Sequence, residues 1–303
     1  MKIVGAGMAG LLAGNMLARH KPVLQEAKPQ LPNNHTAVLR FRTAVVGDVV
    51  GIPFKKVMMI KDTLPWRNSV ADSLAYSHKN LNIYRSDRSV NSGYVAEERY
   101  IAPSNFIELL AQDLNIEFNR ALLQGNLPFS GPIISTIPMP ALMKILQYPE
   151  DVKFNYHPGI NLRAKIRNCD AYVSLLIPDP DFDFSRISIT GDELIVEIPN
   201  ALAIDEYQAE CLLHEASELL GIDKTDLFEF SISKNLYSKI APIDDSVRKD
   251  FIYWATDKFG IYSLGRYATW RPNLLLDSLV NDIRLIERWI YQPSKYNMRK
   301  AQT

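Results

Sequence analysis

Apolar and polar positions alternate in a β-α-β rhythm from the first residue. Met1 to Val4 reads as a short buried strand, Met8 to Arg19 has helical composition, and Pro22-Val23-Leu24-Gln25 forms a second apolar run closed by Glu26. A polar, proline-containing loop follows from Ala27 to His35, and Thr36 to Arg42 reads as extended. Val49 to Asp62 looks like a turn running into a strand, whereas Leu64 to Tyr100 is polar and aromatic without a clear period. Pro103-Ser104 makes a helix start, with Ser104 as cap for Asn105 to Leu114, whose apolar positions 106, 107, 109, 110 and 114 share one face. Ile116 to Phe118 and Ile133 to Ile137 then read as strands, the second stopped by Pro138 and Pro140.

Beyond Pro149 the texture becomes β-branched. Ala171 to Ile177, Ile187 to Thr190 and Glu193 to Ile198 are strand-like, and Gly191-Asp192 between the last two predicts a hairpin. Asp205 to Leu220 is an amphipathic helix ended by Gly221. Near the end, Val280, Ile283, Ile286 and Ile290 give a helix over about 278 to 290 a buried stripe. This order predicts an α/β protein: a Rossmann-like domain with a parallel sheet and helices on both faces, carrying an inserted α+β antiparallel lobe. The first domain takes 1–60, 101–145 and 250–303; the lobe takes 61–100 and 146–249.

At 303 residues the chain can bury a large core. Lysine plus arginine and aspartate plus glutamate both number 34. No global field therefore pulls it toward nucleic acid or an anionic membrane, although a localised basic groove stays open. Cys169 and Cys211 stand far apart and form no CxxC or Cys/His cluster, which argues against a zinc site or disulfide framework. No run approaches the ~20 apolar residues of a membrane span, and the strand at the N-terminus leaves no room for a signal peptide. The expected home is the cytoplasm.

Chemistry begins at Gly5-Ala6-Gly7-Met8-Ala9-Gly10. After a strand and before a helix, Gly5 permits the tight turn, Gly7 lets a pyrophosphate approach the backbone, and Gly10 lets the helix pack on the sheet. Gly14 extends that close packing. Glu26, about twenty residues on, can accept both hydroxyls of an adenosine ribose. In an extended chain Arg40 and Arg42 share a face, so either one reaches a cofactor pyrophosphate or both lie on a solvated edge strand. Late in the chain, Gly265-Arg266, the aromatic run Tyr267 to Arg271 and Asp277 make a second anion- and ring-binding corner. Arg266 is the candidate for a pyrophosphate or ring edge, Trp270 and Tyr267 could wall a ring, and Arg271 could orient an anionic substrate. His157 is a candidate acid or base and His35 follows the ribose strand, yet a lone histidine is more often structural. Arg163, Lys165 and Arg167 put three charges on one strand face, for a phosphate-bearing substrate or for water.

These motifs resemble those of the glutathione-reductase-type FAD superfamily, and within it the amine-oxidase and UDP-galactopyranose-mutase branch. Gly265-Arg266, Tyr267 to Arg271 and Asp277 are similar to the mutases' Gly-Arg-Leu…Tyr-Arg-Tyr-Leu-Asp pattern, and Ile134-Ser135-Thr136-Ile137-Pro138 to the strand before the substrate lobe. The Gly-Gly-Arg that usually follows the acidic residue is absent. The resemblance implies FAD, its ADP half on Gly5, Gly7, Met8, Ala9, Gly10 and Glu26 with Arg40, its flavin half on Gly265, Arg266 and Asp277. It implies an oxidoreductase acting on a C–N or C–H bond of a small polar or amino-acid-like substrate. Brevity also resembles phage flavoproteins, some of which act where thymine in DNA is decorated with amino acids. The alternatives are a redox-neutral nucleotide-sugar mutase and a non-catalytic dinucleotide-binding scaffold or redox sensor.

Overall fold

A computed structural model describes residues 1–31, 40–65, 69–86, 90, 93–123 and 131–291. In its first half the elements are β1 (Lys2–Val4), α1 (Met8–Met16), β2 (Val23–Gln25), β3 (Arg40–Phe41), α2 (Val45–Val50), β4 (Lys55–Thr63), α3 (Ser69–Leu81), β5 (Val95–Ile101), α4 (Phe106–Ala111), β6 (Asn115–Glu117), β7 (Ile133–Ser135) and α5 (Met139–Leu146). The second half adds β8 (Tyr156–Ile166), β9 (Ala171–Leu176), β10 (Arg186–Gly191), β11 (Glu193–Pro199), α6 (Glu206–Glu218), β12 (Leu227–Ile240), α7 (Asp245–Phe259), β13 (Ile261–Ser263) and α8 (Leu276–Tyr291).

Two sheets organise these pieces. The smaller runs β13-β7-β1-β2-β6, and every neighbouring pair is parallel. Its strands are three residues each, and Ile3, Leu24 and Ile134 are fully buried, because helices cover both faces of a parallel sheet. Leu11, Leu12, Phe106, Leu110, Val280 and Ile283 fill one side, while Met139, Leu142, Phe251 and Ile261 gather in a second core with Trp270. Each such aliphatic side chain contributes about 1.5–3 kcal/mol by leaving water.

The larger sheet has eight strands in the order β12-β8-β11-β10-β9-β4-β5-β3. It is mixed: β4 runs parallel to β9, and the remaining pairs are antiparallel. The Gly191-Asp192 hairpin joins β10 to β11 as expected. With period 2, Ile187, Ile189, Leu194 and Val196 turn to the core under α6, and Arg186, Ser188 and Glu197 turn to the opposite face. Helix α6 starts on a capping box in which Asp205 accepts from Gln208 N at 2.7 Å, and Gly221 at φ +70 follows its end.

Local expectations shift in several places. Helix α4 starts at Phe106 with Asn105 as its cap residue and no side-chain bond, so Ser104 does not cap it. The stretch without a clear period holds α3 and β5. Strands β3 and most of β4, which the sequence puts with the first domain, pair into the larger sheet. No helix among the described residues is long and apolar enough to cross a membrane.

Candidate functional site

Three walls enclose a cleft of about 830 Å³ between the sheets. The first is the turn from β1 into α1. Gly5 sits at φ +94, and a Cβ there would meet Thr136 Oγ1 at 2.1 Å; one on Gly10 would meet the Gly5 carbonyl oxygen at 1.9 Å. These two glycines serve packing. Gly7 differs: it caps α1 at an ordinary φ of −72°, lines the cleft, and its Cβ position has no neighbouring atom within 4 Å. The space beside it, at the positive end of a nine-residue helix, is shaped for an anion. Glu26 lies behind this turn, where its carboxylate accepts from Ala6 N at 2.8 Å and Lys28 N at 3.0 Å.

The second wall comes from the far end of the sequence. Leu264 N donates to Ser135 O at 2.9 Å, carrying the chain from β13 to Gly265, whose φ of +100° few other residues adopt. A Cβ on Gly265 would stand 3.0 Å from that of Ala9, so the early and late glycine corners touch. Thr269 closes the turn by donating N and Oγ1 to Gly265 O at 3.0 and 2.7 Å. The Arg266 guanidinium lies 5.6 Å from the centre of the Tyr267 ring. At the start of α8, Asp277 accepts from Thr43 N and Oγ1 at 2.9 and 2.8 Å and from Arg42 N at 3.3 Å. That carboxylate clamps the turn after β3 to α8.

The third wall is the polar face of the larger sheet, and it is cationic. Arg40, Lys61, Arg99 and Arg186 line the cleft there beside Met59 and Ser174. Glu97 pairs with both Lys61 and Arg99. Glu197 accepts from Arg186 Nε at 2.7 Å and from Lys239 Nζ at 2.8 Å. Burial alone would push the Glu197 carboxyl up, but Arg186 and Lys239 outweigh it and hold the group far below the usual range. Arg40 donates to Ser188 Oγ at 3.0 Å and to Val173 O at 3.3 Å, and no carboxylate among the described residues pairs with it. Burial, reinforced by Arg186 and Arg99 and opposed by Glu197, pushes its pKa down to about 9. Among the described residues, Arg40, Lys61, Arg99 and Arg186 of this floor, with Lys239 behind it, stand against the two carboxylates of Glu97 and Glu197. A buried guanidinium without a counter-charge is costly, and a bound anion relieves that cost.

Of the residues expected from the sequence, Gly7, Met8, Ala9, Arg40, Gly265, Arg266 and Asp277 line the cleft, as do Arg42 and Tyr267. Gly5, Gly10 and Glu26 stand behind its wall. The candidate catalytic residues do not line it. Trp270 is 1% exposed at φ +46, donates Nε1 to Ala241 O at 2.9 Å and packs on Phe154 and Tyr156, so it is core. Arg271 bonds Thr269 Oγ1 at 3.0 Å and pairs with Asp282. His157 lies on β8 with its Nε2 buried and without a hydrogen-bond partner among the described residues. Arg163 pairs with Glu193 and Lys165 with Asp192, while Arg167 lies over the Phe228 ring and bonds Thr225 O. His35 lies outside the described residues. Met59, Lys61, Arg99 and Arg186 escape the sequence because each is one unit of a strand alternation whose polar face was not assigned.

A parallel sheet opening on a glycine turn, closed by a Gly-Arg corner beside a helix start, makes a Rossmann-like α/β fold, and solved flavoproteins share it. Solved structures agree. The chain resembles reduced UDP-galactopyranose mutase at a TM-score of 0.68 and 12% identity, over 98% of each chain. It resembles a flavoprotein/dehydrogenase from Cytophaga hutchinsonii at 0.55 and 12%, over 95% of this chain and 78% of that one. A probable FAD-dependent monooxygenase from Pseudomonas aeruginosa matches at 0.50 and 11%, over 96% and 86%. No family model and no curated protein matches the chain.

Proposed function

We propose that the chain binds FAD across the two glycine corners and performs flavin chemistry on a small anionic substrate seated on the cationic sheet. The room beside Gly7 fits a pyrophosphate, and α1 supplies backbone N–H groups from Met8 and Ala9. Glu26, whose carboxylate borders that turn, would take the ribose. Gly265, Arg266 and the start of α8, which line the cleft, would hold the flavin half. The bound flavin would supply two-electron redox chemistry or a nucleophilic nitrogen. The protein's part is orientation and charge: Arg40, Arg186 and Arg99 hold the anion, and the Lys61 ammonium, its pKa lowered by burial against the pull of Glu97, stands beside them.

The observation that carries this reading is Arg40, a half-buried cation lining the cleft with no carboxylate partner among the described residues. The reaction we favour oxidises a C–N or C–H bond of a carboxylate- or phosphate-bearing molecule. A redox-neutral reaction on a nucleotide sugar is the second reading, favoured by the three surplus charges, more than one carboxylate requires. Purified protein should be yellow, with bands near ~370 and ~450 nm; a colourless preparation holding NAD would sink the assignment. Anaerobic bleaching by substrate identifies an oxidoreductase, and turnover only after chemical reduction identifies the second reading. Arg40→Met should keep the flavin and weaken anionic ligands about tenfold or more, since a charged hydrogen bond contributes about 1.5–3 kcal/mol. Unchanged inhibition by anionic ligands in that variant removes the substrate site from this floor.

A further inference from the structure

Across the middle of the cationic floor, Lys61 on β4, Ser174 on β9 and Ser188 on β10 stand in register on one face of the larger sheet. Lys61 and Ser174 line the cleft, and Ser174 is 7% exposed; Ser188 is 1% exposed and does not line it. Arg40 Nη2 donates to Ser188 Oγ at 3.0 Å, and Ser188 Oγ lies 3.4 Å from Ser174 Oγ. A guanidinium has donors and no acceptor, so Ser188 accepts from Arg40 and its own proton needs an acceptor elsewhere. Among the described residues, the acceptor it meets is Ser174 Oγ. Were Ser174 to donate to Ser188 instead, the Ser188 proton would be left inside the sheet without a partner, the costlier arrangement for a buried donor. The relay therefore runs from Arg40 to Ser188 to Ser174. It leaves the Ser174 proton on the cleft side, where no acceptor among the described residues takes it.

We propose that the Ser174 hydroxyl donates to the substrate's anionic group beside Arg40 and Arg186, and that the floor thereby selects an oxyanion carrying no proton. The inference rests on the anion-binding reading of this floor and adds to it a neutral donor and a rule of selection. Every group offered to the ligand here is a donor: the Arg40 and Arg186 guanidinium groups and the Lys61 ammonium by their nature, Ser174 through the relay. The nearby carboxylates are engaged, Glu97 by Lys61 and Arg99, Glu197 by Arg186 and Lys239. Each oxygen of a carboxylate, a sulfate or a doubly ionised phosphate matches such donors with a lone pair. The O–H of a protonated acid, or the N–H of its amide, sets donor against donor and leaves both unsatisfied.

Inorganic sulfate, titrated calorimetrically into the protein as purified, tests this. Ser174→Ala should weaken its binding about tenfold, the lower end for a hydrogen bond to a charged group, with melting and flavin content unchanged. Ser174→Thr keeps the hydroxyl and should restore binding. Inorganic phosphate should weaken relative to sulfate as the pH falls through its second ionisation; a constant ratio overturns the selection rule. Sulfate binding that survives Ser174→Ala, or that Ser174→Thr fails to restore, overturns the role of the hydroxyl. If Ser174→Ala fails to fold, Ser174→Cys decides, because a thiol has nearly the same shape and is a weak donor: weakened binding supports the hydroxyl and unchanged binding overturns it. Arg40→Met separates this inference from the reading beneath it. A wild type that binds no sulfate, or binds it equally well after Arg40→Met, overturns the anion floor and Ser174 together. Loss with Arg40→Met and retention with Ser174→Ala overturns Ser174 alone.

Discussion

Gly7 and Gly10 stand one helical turn apart and answer opposite demands. A methyl group on Gly10 would collide with the backbone of Gly5, a neighbour that cannot rotate away. Gly10→Ala should therefore lower stability by about 3 kcal/mol or more, read as a fall in melting temperature. A Cβ at position 7 meets no protein atom within 4 Å and opens onto the cleft. Gly7→Leu should melt like the wild type and emerge without cofactor, and a normal flavin content would remove this turn from the binding site. Glu197 makes a second contrast. Glu197→Gln leaves Arg186 and Lys239 beside Arg40 without their carboxylate, a loss of about 3 kcal/mol. The native carboxyl is depressed, so its contribution is complete above the ordinary value of 4.5 and fades as pH falls below it. Denaturation at a series of acid pH values should show the variant lacking that decline. The glycines were legible because their constraints are local. Trp270 was not, because its left-handed backbone turns the indole into the core, which residue type does not disclose.

Elements were legible where one periodicity governed them. The hairpin at Gly191-Asp192, the helix after Asp205 and the apolar stripe of α8 needed no partner to be read. Helix α3 was hidden because it packs a polar face: Ser73, Ser77 and Asn80 are buried, and Asn80 Oδ1 accepts from Ser185 Oγ at 3.0 Å. Its Lys79 reaches the loop after β9, donating to Ile177 O at 3.1 Å and Asp179 O at 2.6 Å. Burial brings this ammonium down to about 8 despite the pull of Asp179 and Asp183. Between about 8 and the ordinary 10.5 the unfolded chain holds more protons, so stability should rise with pH across that window. Lys79→Met should flatten the slope, measured by chemical denaturation; an unchanged slope would mean that Lys79 titrates normally.

At the scale of the molecule, the cationic floor is assembled from strands that no short window of sequence contains: Arg40 and Ser188, 148 positions apart, share a hydrogen bond. The same interleaving ties two distant stretches of chain, β3 to β5 and β8 to β12, into the one larger sheet. Residues 146–249 alone would leave β9 without β4 and the face carrying Arg186 without Arg40. That fragment should be insoluble or expanded, with full-length protein melting in a single transition in calorimetry. A soluble, cooperatively folding fragment would show β8 to β12 to be an autonomous unit without β3 to β5.

The touching pair Ala9 and Gly265 also bears on the order of events in synthesis. A ribosome releases the first glycine turn early and its counterpart more than two hundred residues later, so for most of translation the nucleotide end has a seat and the ring end has none. Chains stopped before Ile261 also lack the edge strand that flanks β7. On the proposed reading, cofactor capture is a late event that waits for β13 and the Gly265 turn.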